Sequence, residues 1–302
     1  MGPRRVAPTT FTDRVAVVTG AGSGIGRALA YELARRGAVL AISDIADDRL
    51  AVTADHLRSL GATVRADHLD VADRSAMLVY ADQVADRFGA VHVMINNAGV
   101  VHVGDVAGMS FEDLERVIDT NFWGVVNGSM AFLPHLVASG DARLVNISSL
   151  FGLLPVPSQS AYVASKFAVR GFTESLRIEL LVAGSPVRVT CVHPGGINTA
   201  IARSATRNAD AGLHADAAPA GHRLLRMPPE RAAVVILRAV ARGRPRVLVG
   251  ADARAAALLS TLTGAGWQGL VAGVVRRLPE GRAADPARGA ERERPRARPW
   301  NG

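Results

Sequence analysis

The sequence predicts an α/β protein, a single domain built on a doubly wound parallel sheet with helices on both faces. Three observations carry this: short apolar runs alternate with helical stretches from Arg14 onward, a glycine-rich turn follows the first apolar run, and 302 residues at 49% hydrophobic composition suffice for one large core.

The first strand is predicted over Val15–Val18, four apolar residues in a row as suits a strand covered on both faces. Helical periodicity over Ile25–Arg36 leads to a second strand at Val39–Ser43, and a helix near Arg49–Leu60 to a third at Val64–Asp67. A helix over Arg74–Phe88 precedes strand Val91–Ile95, a long helix over Phe111–Ala138 precedes strand Arg143–Ile147, and a helix over Ala161–Leu181 precedes strand Val187–Val192. This strand-helix-strand alternation requires crossover connections and therefore parallel pairing. After Pro194 an irregular stretch, Ala202–Pro229, delays a helix near Glu230–Arg242 and a last strand at Arg246–Val249. So long a connection at the carboxyl end of a strand predicts a lid, with substrate contacts from residues 200–228.

The ends read differently. Residues 1–12 are expected to be a flexible leader, 13–250 the globular domain, 251–278 a helical extension and 279–302 a disordered tail rich in Arg and Pro. In the extension Leu258, Leu259, Leu262, Leu270, Val271, Val274 and Val275 fall near helical spacing, which predicts packing on the body or on a partner subunit. Half of the net charge of +8 comes from residues 276–302, where eight arginines face four acidic residues, so the charge argues for a basic tail and against a nucleic-acid-binding body. Peripheral membrane contact through the C-terminal region is a secondary expectation. Cys191 is the one cysteine, which excludes an internal disulfide; with no secretory or membrane-spanning pattern, a cytoplasmic location is expected. The eight histidines show no zinc-type spacing, and no metal site is expected.

Of the 35 basic residues other than histidine only Lys166 is lysine, which marks a position where a compact ammonium is needed and a planar guanidinium will not serve.

Chemistry enters at Gly20-Ala21-Gly22-Ser23-Gly24-Ile25-Gly26, placed between the first strand and a helix. Gly20, Ser23, Gly24, Ile25 and Gly26 would cradle a pyrophosphate at the helix N-terminus, where unpaired N–H groups and the helix dipole favour an anion. Asp44 follows Gly26 by 18 residues, near the spacing of a carboxylate that binds both ribose hydroxyls; it would repel a 2′-phosphate, which predicts NAD over NADP. Further on, Tyr162 and Lys166 stand four apart in a helical stretch and share one face. Free tyrosine titrates near 10, and lowering it to about 7 takes about 4 kcal/mol, which a neighbouring ammonium and a nicotinamide charge are expected to supply. Such a tyrosine exchanges a proton at neutral pH.

In these features, and in Asp70-Val71, Asn96-Asn97-Ala98-Gly99, Asn121, Ile147-Ser148-Ser149 and Pro194-Gly195-Gly196-Ile197-Asn198-Thr199, the sequence resembles the short, single-domain branch of the short-chain dehydrogenase/reductase family over roughly Thr12–Gly250. The resemblance implies a Rossmann-like fold and hydride transfer between a nicotinamide cofactor and an alcohol or carbonyl. It implies that Asn121, Ser149, Tyr162 and Lys166 are catalytic, with Ser149 and Tyr162 also holding substrate, Lys166 holding the nicotinamide ribose and Asn121 anchoring a proton relay. It further implies that Asp70, Val71, Asn97, Ala98, Gly99, Pro194, Gly195, Ile197 and Thr199 line the cofactor, and that the protein is a homodimer or homotetramer assembled through the long helices after strands four and five. Ser148 is assigned to backbone bonding, and Cys191 and His193 to structural roles. Leu153, Leu154, Val156 and Met227 hint at a lipophilic substrate such as a steroid, retinoid or acyl compound. Two other classes remain open, a sugar-nucleotide epimerase or dehydratase and a non-catalytic dinucleotide sensor.

Overall fold

The computed structural model describes residues 11–199, 201, 205–207, 227–264 and 266–276. The expected tail and most of the expected leader and lid lie outside the described residues. In chain order the elements are β1 (Val15–Thr19), α1 (Gly24–Arg35), β2 (Val39–Asp44), α2 (Asp47–Ser59), β3 (Val64–His68), α3 (Arg74–Phe88), β4 (Val93–Asn96), β5 (His102–Val103), α4 (Phe111–Ile118), α5 (Gly124–Ala138), β6 (Ala142–Ile147), α6 (Ser160–Val182), β7 (Val187–Pro194), β8 (Thr206–Arg207), α7 (Pro229–Ala241), β9 (Arg246–Val249), α8 (Ala251–Thr263) and α9 (Trp267–Arg276).

Seven strands form one parallel sheet in the order β3-β2-β1-β4-β6-β7-β9. Side chains alternate across it. Ala16, Val18, Leu40, Ile42 and Val145 face a core closed by α1, α2 and α7, while Val15, Val17, Ala41 and Leu144 face a second core under α3, α5 and α6. Fully buried Leu29 and Leu33 on one side, and Phe132 and Leu136 on the other, contribute about 1.5–3 kcal/mol each. Helix ends follow local chemistry: Asp73 caps α3 by accepting from the Ala76 N–H at 2.9 Å, and Ser110 caps α4 through the Asp113 N–H at 3.1 Å.

The strand order reverses between β1 and β4, which opens a crevice beyond their carboxyl ends. Two features depart from the expected elements. The long helix predicted over Phe111–Ala138 is interrupted by a π-turn at Asp119–Trp123, a widening that periodicity does not reveal. The two-residue strands β5 and β8 pair in parallel, His102 beside Thr206 and Val103 beside Arg207, and tie the segment after β7 to the loop after β4. The expected extension is helical as α8 and α9, although the side chains of Leu270, Val274 and Val275 are outside the described residues. None of the described helices is long and apolar enough to cross a membrane.

Candidate active site

One cavity of about 980 Å³ runs from the glycine turn across the carboxyl ends of the strands. Its lining includes Gly20, Ser23, Gly24, Ile25, Asp44, Asp70, Val71, Asn97, Ala98, Gly99, Ser149, Tyr162, Lys166, Pro194, Gly195, Ile197 and Thr199. The fold thus gathers onto one surface residues from seven separated stretches of chain. Gly26 and Asn121 stand just behind it.

At the dinucleotide end the backbone is held by side chains. A Cβ on Gly26 would lie 2.2 Å from the Gly20 carbonyl oxygen and 2.5 Å from Asn97 Nδ2, so only glycine lets the turn close on β4. The Asn97 amide donates to the carbonyls of Thr19 and Gly20 at 3.0 and 3.2 Å, and Thr19 Oγ1 accepts from the N–H groups of Asn97 and Ala98. Asn97 therefore stitches β4 to the turn, a role that its place in the motif does not announce. Asp44 accepts from the Gly22 N–H at 2.8 Å and the Ala46 N–H at 2.9 Å, which fixes its carboxylate at the end of β2. Arg49, unmarked in the sequence, lines the same end. A glycine cradle beside a fixed carboxylate is chemistry that suits a dinucleotide's pyrophosphate and ribose.

At the reacting end, α6 presents Tyr162 and Lys166 on one face, with Lys166 Nζ 5.6 Å from the Tyr162 ring centre. Nζ donates to the Ile147 carbonyl at 3.1 Å. Lys166 is 3% exposed, and burial lowers its ammonium from 10.5 to about 8. Burial pushes the Tyr162 hydroxyl above the ordinary 10, and the hydrogen bond with Ser149 pulls the other way; desolvation outweighs any help from the ammonium, which sits against the ring.

Ser149 begins a short 3₁₀ turn, Leu150–Gly152, and its hydroxyl accepts from the Phe151 N–H at 3.1 Å. Its carbonyl accepts a hydrogen bond at 2.9 Å from His193 Nδ1, which therefore carries the proton. Burial pulls His193 down to about 4, so it is neutral at physiological pH; a residue read as merely structural backs the serine. Ser148 turns away and donates to the Lys166 carbonyl at 2.8 Å. Cys191 is buried, its thiol pushed up to about 12 by burial. Asn121, inside the π-turn, is wholly buried. Its Oδ1 accepts from the Val100 N–H at 2.8 Å, and its Nδ2 donates to the Val100 carbonyl at 2.9 Å and to Ser165 Oγ at 3.0 Å. It pins the Gly99–Val100 segment beside Lys166.

The rest of the cavity wall is apolar, with Val101, Val103, Leu150, Phe151, Val156 and Ile201. Of the four apolar residues picked from sequence only Val156 lines it. Leu153 is buried, and Met227 packs against the core formed by α1, α2 and α7. From the expected lid, Ile201, Ala205 and Arg207 reach the cavity; the other lid contacts expected there, apart from Thr206, Met227 and Pro228, fall outside the described residues.

Comparison with known proteins agrees with this geometry. A family model described as short chain dehydrogenase matches residues 14–210. SadH of Mycobacterium tuberculosis, which carries the name oxidoreductase, is 54% identical over 264 residues, 87% of this chain and 96% of that one. A cyclohexanol dehydrogenase of Acinetobacter is 34% identical over 196 residues, 65% of this chain and 77% of that one. Among solved structures, a short-chain dehydrogenase/reductase of Burkholderia phymatum in complex with NAD superposes with a TM-score of 0.78 at 32% identity, covering 91% of this chain and 99% of that one.

Proposed function

The chain belongs to the short-chain dehydrogenase family, and from that premise we propose that it interconverts a lipophilic secondary alcohol and its carbonyl, with NAD as the preferred cofactor. The observation that carries this is that Ser149, Tyr162 and Lys166 line one cavity together at the junction of a dinucleotide cradle and an apolar chamber. A bound nicotinamide supplies the hydride acceptor or donor. The remaining work falls to the chain. Ser149 and Tyr162 grip the substrate oxygen; in oxidation Tyr162 takes the alcohol proton, and in reduction it returns it. Lys166 holds the nicotinamide ribose and stabilises tyrosinate, and Asn121 keeps the neighbouring backbone in place for proton relay. Ser23, Ile25, Asp70, Val71, Ile197 and Thr199 hold the cofactor along its length.

The fixed Asp44 carboxylate supports NAD, since a 2′-phosphate would face like charge. Arg49 on the same stretch of cavity favours the opposite reading, tolerance of NADP. We further propose a dimer or tetramer working in the cytoplasm, assembled through α5 and α6, where Met130, Ile178 and Leu181 are exposed.

The deciding measurement is absorbance of reduced nicotinamide during incubation with a panel of lipophilic secondary alcohols, with NAD+ or NADP+, in wild type and Tyr162→Phe. Turnover with NAD+ is expected, reduced at least about 10²-fold by the substitution. Undiminished turnover in folded Tyr162→Phe would sink the assignment, and faster turnover with NADP+ would reverse the cofactor preference. Net reduction of added NAD+ also separates a dehydrogenase from a self-recycling epimerase.

A further inference from the structure

Asp252 lies at the start of α8, beyond the segment 14–210 that the family model matches, yet it lines the same cavity as the Tyr162 pair. Its carboxylate accepts a hydrogen bond from the backbone N–H of Gly196, in the segment between β7 and Thr199. Two glycines leave it room. A Cβ on Gly195 would stand 2.2 Å from Asp252 Oδ1, and one on Gly250 would stand 2.3 Å from the same atom. The neighbouring peptide groups are tied as well: the Gly195 N–H donates to the Val249 carbonyl at 2.9 Å, and the Gly196 carbonyl accepts from the Met227 N–H at 3.3 Å. A charge-assisted bond at the centre of such a set is about twice as strong as a neutral one. The extension returns to the cavity a second time, through Val271 on α9.

We propose that Asp252 is a positioning residue of the cofactor site: its carboxylate fixes the Gly195–Gly196 peptide, and through it the placement of Ile197 and Thr199 at the nicotinamide end. The C-terminal extension is then part of the active site. This rests on the dinucleotide reading of the cavity given above. Removing the carboxylate loosens the segment that meets the nicotinamide and leaves the glycine turn and Asp44, at the other end of the cavity, unchanged.

The test compares two probes on wild type, Asp252→Ala and Asp252→Asn: NADH, and ADP-ribose, which carries the adenosine and pyrophosphate but no nicotinamide. Binding is measured by calorimetry, so no substrate is needed. Asp252→Ala is expected to weaken NADH about tenfold and to leave ADP-ribose within about twofold. Asp252→Asn, whose amide oxygen still accepts from the Gly196 N–H, is expected to recover most of the loss. Should Asp252→Ala not fold, Asp252→Glu, which displaces the acceptor by one methylene, gives the same comparison. Equal losses for both probes, or NADH affinity within about twofold of wild type, overturn the inference while the dinucleotide reading stands. Wild-type protein that binds neither probe overturns that reading and the inference with it.

Discussion

The two ends of the cavity are built by different means. The dinucleotide end is made of backbone and short polar side chains, with the turn from Gly20 to Gly26, the Asn97 stitch and the Asp44 carboxylate all within β1, β2, β4 and their loops. The end proposed for substrate is a wall of apolar side chains from four stretches far apart in sequence: Val101 and Val103; Leu150, Phe151 and Val156; Ile201; and Val271. A phosphate and a ribose look alike in every dinucleotide, so one end needs fixed donors at fixed spacing. A variable apolar ligand needs only shape, which many residue choices satisfy.

The sharpest way to break this contrast is Gly26→Val, because its Cβ would fall on backbone atoms of the glycine turn. Relief of that clash is expected to weaken NADH binding about a hundredfold, the equivalent of about 3 kcal/mol, with a lower melting temperature. Calorimetry and thermal melting check it; near-normal binding would show that the turn tolerates displacement.

A pH profile probes the junction of the two ends. Burial raises the Tyr162 hydroxyl above its ordinary 10, so the deprotonated base needed for oxidation is scarce at neutral pH. The kcat/KM for alcohol oxidation is therefore expected to climb up to about tenfold per pH unit through the alkaline range, while carbonyl reduction, which needs the protonated form, stays flat across neutrality. An oxidation rate independent of pH between 6 and about 9 would place the base elsewhere.

The smallest effect is expected at the substrate end. Val156→Ala enlarges the chamber without touching Tyr162, and is expected to shift preference toward bulkier alcohols by about threefold to tenfold while the KM for NAD+ stays within about twofold. Paired kinetics on a small and a bulky alcohol measure this. An equal change for both alcohols would remove Val156 from the specificity wall.

Much of the site is legible in the sequence. The glycine turn, Asp44, Tyr162 and Lys166 stand at spacings that elementary geometry interprets, Lys166 is conspicuous as the one lysine in the chain, and Ser149 is singled out by the family resemblance alone. Asp252 and the backing of Ser149 by His193 carried no such signal, since each acts through a partner distant in sequence: Asp252 on Gly196, His193 on the Ser149 carbonyl. The apolar choices fared unevenly for the same reason. Leu153 and Val156 are near neighbours of similar character, and only the packing of the Leu150–Ser158 segment decides which enters the core and which meets the cavity.

By itself the sequence determined the parallel α/β architecture, the crevice after the first strand and the pairing of Tyr162 with Lys166 on one helix face, because these rest on periodicity, on backbone room at glycine and on helix spacing, all of which are local. Tertiary structure alone decided the π-turn that seats Asn121, the displacement of the Tyr162 hydroxyl above 10 by burial, and the return of the C-terminal helices to the cavity. Those depend on which surfaces meet and how completely they exclude water, and neither is written at any one position of the chain.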